Sequence, residues 1–578
     1  MIKHGLIGEG AFYRALADEL ALPFVSVPRV GPGTEFPNSI LAGLAPLARP
    51  RAGFVIAPRG ARLRRLLTSR KAFGSELVVT TPGALAQAVL RRQVPAIARR
   101  VAHQLPDHAP HLSSRDGGTG FQLSWLCGLA FLLSFGAVQA PGIAVTAVAV
   151  VLAPLFLTIV ALRLAAASMY HPATISGPVV RAAEAALPVY SVIVALYREP
   201  RVVPSLVSAL SRLDYPTAKL DIKLVIEADD ADTAGALAEL ALPGFMEVIV
   251  APPGLPRTKP RALNVALPLA RGAFTVVYDA EDVPERAQLR LAVAAFADQP
   301  SHMACFQARL VIDNTDDSWL TRLFTIEYAT LFDVINPGLA ALDSPVPLGG
   351  TSNHFRTSAL RNALGWDAWN VTEDADLGIR LARLGYRVGD LPSATWEEAP
   401  RTLGAWMNQR SRWMKGFMQT CVTHSRSPLQ LWRDLGTWRF SAAVTLTFGT
   451  VLSALGYPLF TVLSLIAIGR GHFASADSLG SAMVSAASLG LFSLGMIAIL
   501  VPACVALGRR RTWRLLPWVP LLPFYYGLVS LAAHRALWEL MVDPYHWNKT
   551  DHGLARTSRV RALITASRGP WRRLPAGD

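Results

Sequence analysis

Hydrophobic and polar positions divide the chain into stretches of different character. Two uninterrupted apolar runs, 121–138 and 143–164, are joined only by QAPG. At 1.5 Å per residue each is long enough to cross ~30 Å of hydrocarbon, and so short a connection predicts a tight hairpin with both ends on one side, the cytoplasmic one. From 188 to 400 the pattern changes. PVYSVIVALY, LDIKLVIEAD and AFTVVYDAED are β-rich runs ending in polar or acidic residues, and VVPSLVSALSRL and PRALNVALPLA between them are helical. This alternation predicts a mostly parallel α/β sheet with ligands beyond the carboxyl ends of its strands. TLGAWMNQRSRWMKGFMQT predicts an amphipathic, interfacial helix closing a domain at 188–425.

After 439 the chain is apolar again, with candidate spans 440–469 (broken at Gly456-Tyr457-Pro458), 480–507 and 514–541. Pro517, Pro520 and Pro523 make the last of these a candidate for a hairpin, re-entrant or interfacial course. Three spans starting inside would leave the tail, 542–578, outside, whereas its basic residues predict a cytoplasmic tail. At the other end, 1–110 reads as a small soluble regulatory-type α/β or α+β module. Leu6, Phe12, Leu16 and Leu20 predict a helical stripe, ALPFVSVP a turn and short strand, and GFVIAPRG and ELVVTTPGALAQAVLRR strands leading into a helix.

Composition strengthens the membrane reading. Of 578 residues 52% are hydrophobic and only 17% charged, which predicts three or four units with a membrane-embedded fraction. The net charge of +15 does not point to nucleic acid. Arg91-Arg92, Arg99-Arg100, Arg509-Arg510-Arg511 and the tail after Arg556 flank apolar segments, as in cytoplasmic loops facing anionic lipid. Cys127, Cys305, Cys421 and Cys504 have neither metal spacing nor a disulfide framework. The N-terminal stretch MIKHGLIGEGAFYRALADEL lacks the apolar core of a signal peptide, so the N-terminal region is expected inside.

The chemistry-bearing residues fall in three polar strings. Asp279-Ala280-Glu281-Asp282 follows the predicted strand 274–278, and carboxylates at alternate positions past a strand end reach one Mg²⁺ or Mn²⁺. Asp279 and Glu281 are the candidate ligands, with Asp282 an alternative for the second. In Thr372-Glu373-Asp374, Asp374 precedes a helix with Leu377, Leu381 and Leu384 on one face and Gly385 at its end. A helix N-terminus favours an ionised carboxylate. Gln409, Arg412 and Trp413, at i, i+3 and i+4, share one helix face. Arg412 suits a diphosphate clamp, and the Trp413 ring offers a face for a sugar. Lys259 and Asn264, in KPRALN, fit a helix start where a cation meets a diphosphate.

Between membrane flanks, these strings resemble the DxD, TED and QxxRW motifs of processive family 2 glycosyltransferases, the group containing cellulose, chitin and hyaluronan synthases. The resemblance covers about 188–425 well and the membrane segments loosely. It implies a GT-A-type α/β domain between transmembrane helices, with Asp374 as general base beside Glu373 and Thr372. It also places Glu199 in a nucleotide-binding loop after the first strand, and an acidic pair from Glu227, Asp229 and Asp230 at the uracil and ribose; relatives usually read DDG rather than EADD here, so which residue contacts the base is open. GGTSNHF (349–355) matches the stretch lining the acceptor pocket, and Lys549 and Thr550 the UDP-approaching residues of a gating loop. The implied activity is inverting transfer from a UDP-sugar, with a divalent metal, onto a growing exopolysaccharide that leaves through the enzyme's own helices in a bacterial-type inner membrane. Single-sugar transfer to a lipid phosphate, as in dolichyl-phosphate mannose synthases, and a catalytically silent nucleotide-sensing receptor are the alternatives. ALADELALPFV resembles the N-terminal domain of type II secretion ATPases. Some relatives of that domain bind cyclic di-GMP, a candidate partner here, although the paired repeat that such binding uses is not evident and no PilZ-type RxxxR follows the membrane block.

Overall fold

The computed structural model describes residues 2–48, 53–68, 76–169, 184–469, 479–547 and 553–557. At the N-terminus β1 (Leu44–Pro46), β2 (Phe54–Ile56) and β3 (Leu77–Val79) form a small sheet, β1 antiparallel and β3 parallel to β2. The helix Glu9–Glu19 buries Tyr13, Leu16 and Ala17 against it. Leu6 precedes that helix and is exposed, so the expected stripe does not include it. Thr81 Oγ1 accepts the Ala84 amide at 3.1 Å and starts the helix Pro82–Arg92, which Val94–His108 follows.

Gly120–Gln139 and Pro141–Ser168 form the expected hairpin, the first helix opened by a capping box between Thr119 and Gln122. Further on, Pro428–Val444 runs through a π-turn, Thr445–Gly449, into Thr450–Gly469. Pro458 lies inside that last helix, so the expected break is absent; helices in apolar surroundings tolerate an internal proline when neighbours satisfy the freed carbonyls. Leu479–Arg510 follows, and the proline run forms a 3₁₀ turn, Trp513–Leu521, that leads straight into Leu522–Val542 rather than a re-entrant hairpin. Among the described residues, four helical stretches are long and apolar enough to cross a membrane: Gly120–Gln139, Pro428–Pro458, Ala486–Arg510 and Trp513–Val542.

Between these blocks lies an eight-stranded sheet. Its strands are β4 (Tyr190–Leu196), β5 (Leu220–Glu227), β6 (Met246–Ala251), β7 (Phe274–Tyr278), β8 (Val283–Pro284), β9 (Met303–Ile312), β10 (Asn353–Arg356) and β11 (Arg387–Glu397). The order is β6-β5-β4-β7-β10-β9-β11-β8. β6, β5, β4 and β7 are parallel, as are β9 and β11, while β10 runs antiparallel between β7 and β9. Val192, Val194, Ile222, Leu224 and Val276 are fully buried under helices, which is why these strands read as continuous apolar runs.

Register sets the site. Leu196 pairs with Ile226 and Val194 with Tyr278, so Tyr197, Glu227 and Asp279 leave the sheet along one edge. Because β10 is antiparallel, its first residue Asn353 lies beside Val277, which brings the preceding Gly349–Ser352 turn to that same edge.

Candidate active site

A cavity of about 980 Å³ opens at this edge. Its polar end is lined by Tyr197, Glu199, Glu227, Lys259, Asp279, Glu281, Gly350, Thr372, Glu373, Asp374, Gln409, Arg412 and Trp413. Residues from all three strings thus face one space. A Cβ on Gly350 would stand 3.1 Å from Asp374 Oδ2, 3.8 Å from Asp279 Oδ2 and 3.9 Å from Lys259 Nζ. The base candidate, the metal candidate and a cation therefore meet around a residue that has no side chain to separate them.

Lys259 opens the helix Lys259–Ala266 and pairs with the Asp279 carboxylate, while its Nζ also donates to the Gly350 carbonyl at 2.8 Å. Burial works against its charge, but Asp279, Glu373 and Asp374 outweigh burial and hold its pKa above the usual lysine value. Asp374 lies in the first turn of the helix Glu373–Arg383, with Oδ1 accepting the Ala375 amide at 2.8 Å. The helix terminus does not dominate its ionisation: burial raises the Asp374 pKa against the lowering pull of Lys259. Burial and then the adjacent Asp374 push Glu373 up to about 8.

This helix is locked to the helix Leu403–His424, which Thr402 caps. At the near end Gly416 admits the Thr372 hydroxyl, which a Cβ there would strike. At the far end Asp376 pairs with Arg380, and His424 bridges the helices. Burial keeps His424 neutral, so Nδ1 accepts from Arg383 at 3.0 Å and Nε2–H donates to Asp376 at 3.0 Å. On the same helix Gln409, Arg412 and Trp413 face the cavity, as the i, i+3, i+4 spacing predicts, and Gln409 Oε1 and Arg412 Nε are buried without a hydrogen-bond partner among the described residues. The Arg412 guanidinium lies 4.6 Å from the Trp547 ring centre. Burial lowers the Arg412 pKa, while Glu373, Asp374 and Asp279 pull it back up.

Several expectations change. Asp282 is buried and turned away from the cavity: its Oδ2 accepts the Asp279 amide at 2.8 Å and the Thr351 hydroxyl, and burial holds its pKa well above the carboxylate range. It braces the turn through Oδ2, while Oδ1 is buried without a hydrogen-bond partner among the described residues. Asn264 lies outside the cavity lining and joins Val101 and Trp366 through their carbonyls, at 3.2 and 2.8 Å. Asp229 also lies outside and pairs with Arg257 near the surface at 2.8 Å. Glu227 faces the cavity but is paired with Arg261 at 2.5 Å. Of GGTSNHF, residues 349–351 line the space, whereas Asn353, His354 and Phe355 are buried in β10. Lys549 and Thr550 lie outside the described residues.

Residues not singled out from the sequence complete the walls. Arg410, inside the QRSRW string, stacks 4.4 Å from the Trp413 ring centre and pairs with Glu327. Tyr328 lies nearly parallel to Trp413 at 6.2 Å. Glu327 and Tyr328 lie in the largely apolar stretch TIEYATLFDVINPGLA, which carried no chemical signal. Beyond Trp413 the cavity continues between the apolar helices, past Ile159, Leu162, Leu331, Phe332, Ile335 and Leu446.

Residues 274–529 match the family described as "Glycosyl transferase family group 2". The chain carries a glycosyltransferase family 2 domain. The match starts at β7, directly before Asp279, and runs through the QRSRW helix into the last apolar helix. With its mostly parallel sheet the domain has the GT-A-type glycosyltransferase fold. Among curated relatives, the probable glycosyltransferase YdaM of Bacillus subtilis is 30% identical over 239 residues, covering 40% of this chain and 55% of the relative. The beta-monoglucosyldiacylglycerol synthase of Trichormus variabilis is 28% identical over 239 residues, covering 41% and 50%. The poly-beta-1,6-N-acetyl-D-glucosamine synthase of Staphylococcus epidermidis is 26% identical over 230 residues, covering 39% and 54%. The chain thus spans about half the length of the curated relatives it matches.

Proposed function

We propose that the glycosyltransferase domain is an inverting hexosyltransferase that uses a UDP-sugar and extends a glycan at the membrane. The observation that carries this reading is the convergence of Asp374, Asp279 and Lys259 around Gly350, with Arg412 lining the same cavity. Asp374, as carboxylate, takes the proton of the acceptor hydroxyl as that oxygen bonds to the anomeric carbon. The bond from that carbon to the UDP oxygen breaks, and Lys259 and Arg412 face the charge left on the diphosphate. The Trp413 ring, backed by Arg410 and Tyr328, is the platform for the acceptor sugar.

Asp279 and Glu281 fit a divalent cation, which would supply Lewis-acid neutralisation of the leaving diphosphate. Both line the cavity, one residue apart past β7, while Asp282 is turned inward. Among the described residues no group of three or more His, Cys, Asp or Glu side chains is placed to hold a metal. Two carboxylates suit an ion whose other ligands are substrate phosphates and water.

A second reading has its own observation. The aliphatic wall beyond Trp413 suits the hydrocarbon of a lipid acceptor, which would receive a single sugar. Full-length protein in lipid nanodiscs, given radiolabelled UDP-sugars with Mg²⁺ or Mn²⁺, is expected to make polymer. Trp413→Ala should shorten that polymer more than it weakens UDP binding. A chloroform-soluble product with one added sugar would replace the polymer reading with the lipid one, and no turnover of any nucleotide-sugar would sink both.

A further inference from the structure

The five residues before Thr372 are held on one side by the glycosyltransferase domain, where Thr258 donates to the Ala368 carbonyl at 2.8 Å, Asn370 to Thr420 Oγ1 at 3.0 Å and the Val371 amide to Gln419 Oε1 at 3.0 Å, and on the other by the N-terminal end of the chain. The Trp369 indole Nε1–H donates to the Ala102 carbonyl, in the helix Val94–His108, at 2.8 Å. The same helix presents the Val101 carbonyl to Asn264, which grips both the carbonyl (2.8 Å) and the amide (3.1 Å) of Trp366. The buried Asp367 carboxylate accepts from the Ser113 hydroxyl at 3.0 Å and the Ser114 amide at 2.5 Å. Asn370 donates to Ser114 Oγ at 3.3 Å and accepts the Thr372 amide at 2.9 Å. Thr372 is in turn the residue that precedes the base helix. A run of hydrogen bonds therefore links Ser114, in the segment just after the N-terminal module, through Asn370 to Thr372 and the first turn that carries Asp374.

Trp369 has a second face in this arrangement. Its ring lines the cavity and meets Tyr545 edge-on at 5.1 Å, while Tyr545 donates to the carbonyls of Ser114 and Arg115, at 3.2 and 2.5 Å. A hydrogen bond displaced at Ala102 would move a cavity wall and the base turn together, because only four residues lie between Trp369 and Asp374. Angular and positional errors are costly where a base must meet one hydroxyl.

We propose that Trp369 is a positioning residue for sugar transfer, and that the N-terminal module and the segment just after it hold the acceptor-side geometry, the module through the Trp369–Ala102 hydrogen bond and the segment through the Asp367–Ser114 clasp. The module is then a structural part of the active site, and whatever it binds acts on transfer through this segment. The inference rests on Asp374 being the base.

The test compares Trp369→Phe, which keeps a ring but removes the N–H, and Asp367→Asn, which keeps shape but weakens the clasp, with Arg91→Ala on the exposed module surface. Full-length proteins are used, with active sites counted by UDP titration. Both variants should lose at least fivefold in transfer per UDP-binding site, with donor KM within twofold and a larger share of UDP released by donor hydrolysis. Arg91→Ala should behave as wild type. A merely structural role would lower transfer, hydrolysis and UDP-binding sites in parallel, and that result overturns the proposal. Amide exchange separates failure here from failure of the base assignment. Protection of Val371–Ala375 should drop in both variants even if no donor is turned over; unchanged protection overturns the proposal, whereas lost protection with an inactive wild type overturns only the assigned chemistry.

Discussion

Asp374→Asn isolates the proton-transfer role from the geometry that supports it. Asparagine is isosteric, so it fits the space 3.1 Å from the Cβ position of Gly350, and its Oδ1 still accepts the Ala375 amide. The variant loses only the basic oxygen and one negative charge. General-base catalysis is worth roughly 10²–10⁴-fold, or about 3–5 kcal/mol at ~1.4 kcal/mol per factor of ten. Transfer should fall by that amount. UDP affinity should hold or improve, because the lost charge lies where Lys259 and Arg412 must receive a diphosphate. The wild type should also lose activity as pH falls through a pKa raised from the ordinary aspartate value, since burial raises Asp374 and only its ionised form is a base. The variant should lack that acidic limb. The assay pairs initial rates of UDP release with UDP binding by calorimetry. Transfer within tenfold of wild type would place the base elsewhere, and UDP binding weakened more than tenfold would make Asp374 a ligand or a cap instead.

Glu373 is almost fully buried with its pKa raised to about 8, so the folded state binds its proton more tightly than the unfolded chain does. Its contribution to stability is complete below the unfolded carboxylate pKa and is lost as pH rises through about 8. Glu373→Gln should therefore flatten the fall in Tm between pH 5 and 8.5 measured without donor; an unchanged slope would remove Glu373 as its cause. Gly416→Ala should push Thr372 off the facing helix and cut transfer by at least tenfold with UDP affinity little changed, because its Cβ meets the Thr372 side chain; wild-type rates would show that this close approach is not needed. Chelation with EDTA should weaken UDP binding at least tenfold and abolish transfer, with Mn²⁺ or Mg²⁺ restoring both; binding unchanged by EDTA would refute Asp279 and Glu281 as a metal pair.

The sequence carried the sheet and the reactive strings because each has a local cause. β7 ends where its apolar run meets Asp279, and Gly385, at φ +80°, follows the base helix as its leucine stripe anticipates. What it did not carry was non-local. Asp282 looked equivalent to Glu281 until Thr351, sixty-nine residues later, claimed its carboxylate. Asn264 looked like a phosphate contact because its partners, Val101 and Trp366, lie more than a hundred residues away on either side. Arg410 was not singled out, because its stacking on Trp413 and pairing with Glu327 depend on a helix whose sequence is mostly apolar. The helix-terminus argument for Asp374 was sound locally but small beside the burial that the assembled site imposes.

The charges around Gly350 bear on how these residues hold together and on how a diphosphate would be received. Lys259 and Arg412 face Asp279, Glu281, Glu373 and Asp374 in a cavity that Glu199 and Glu227 also line. With these carboxyl groups ionised, this end of the cavity is rich in negative charge and would repel a nucleotide diphosphate. Burial relieves part of the excess by favouring protons on Glu373 and Asp374, and the Lys259–Asp279 pair relieves another part. Neither device helps in turnover, when Asp374 must be ionised and Lys259 is wanted by the diphosphate. Under the proposed chemistry a divalent cation at Asp279 would offset part of that excess and leave Lys259 available to a phosphate, so the Lys259–Asp279 ion pair would be the arrangement of these two residues without donor and metal.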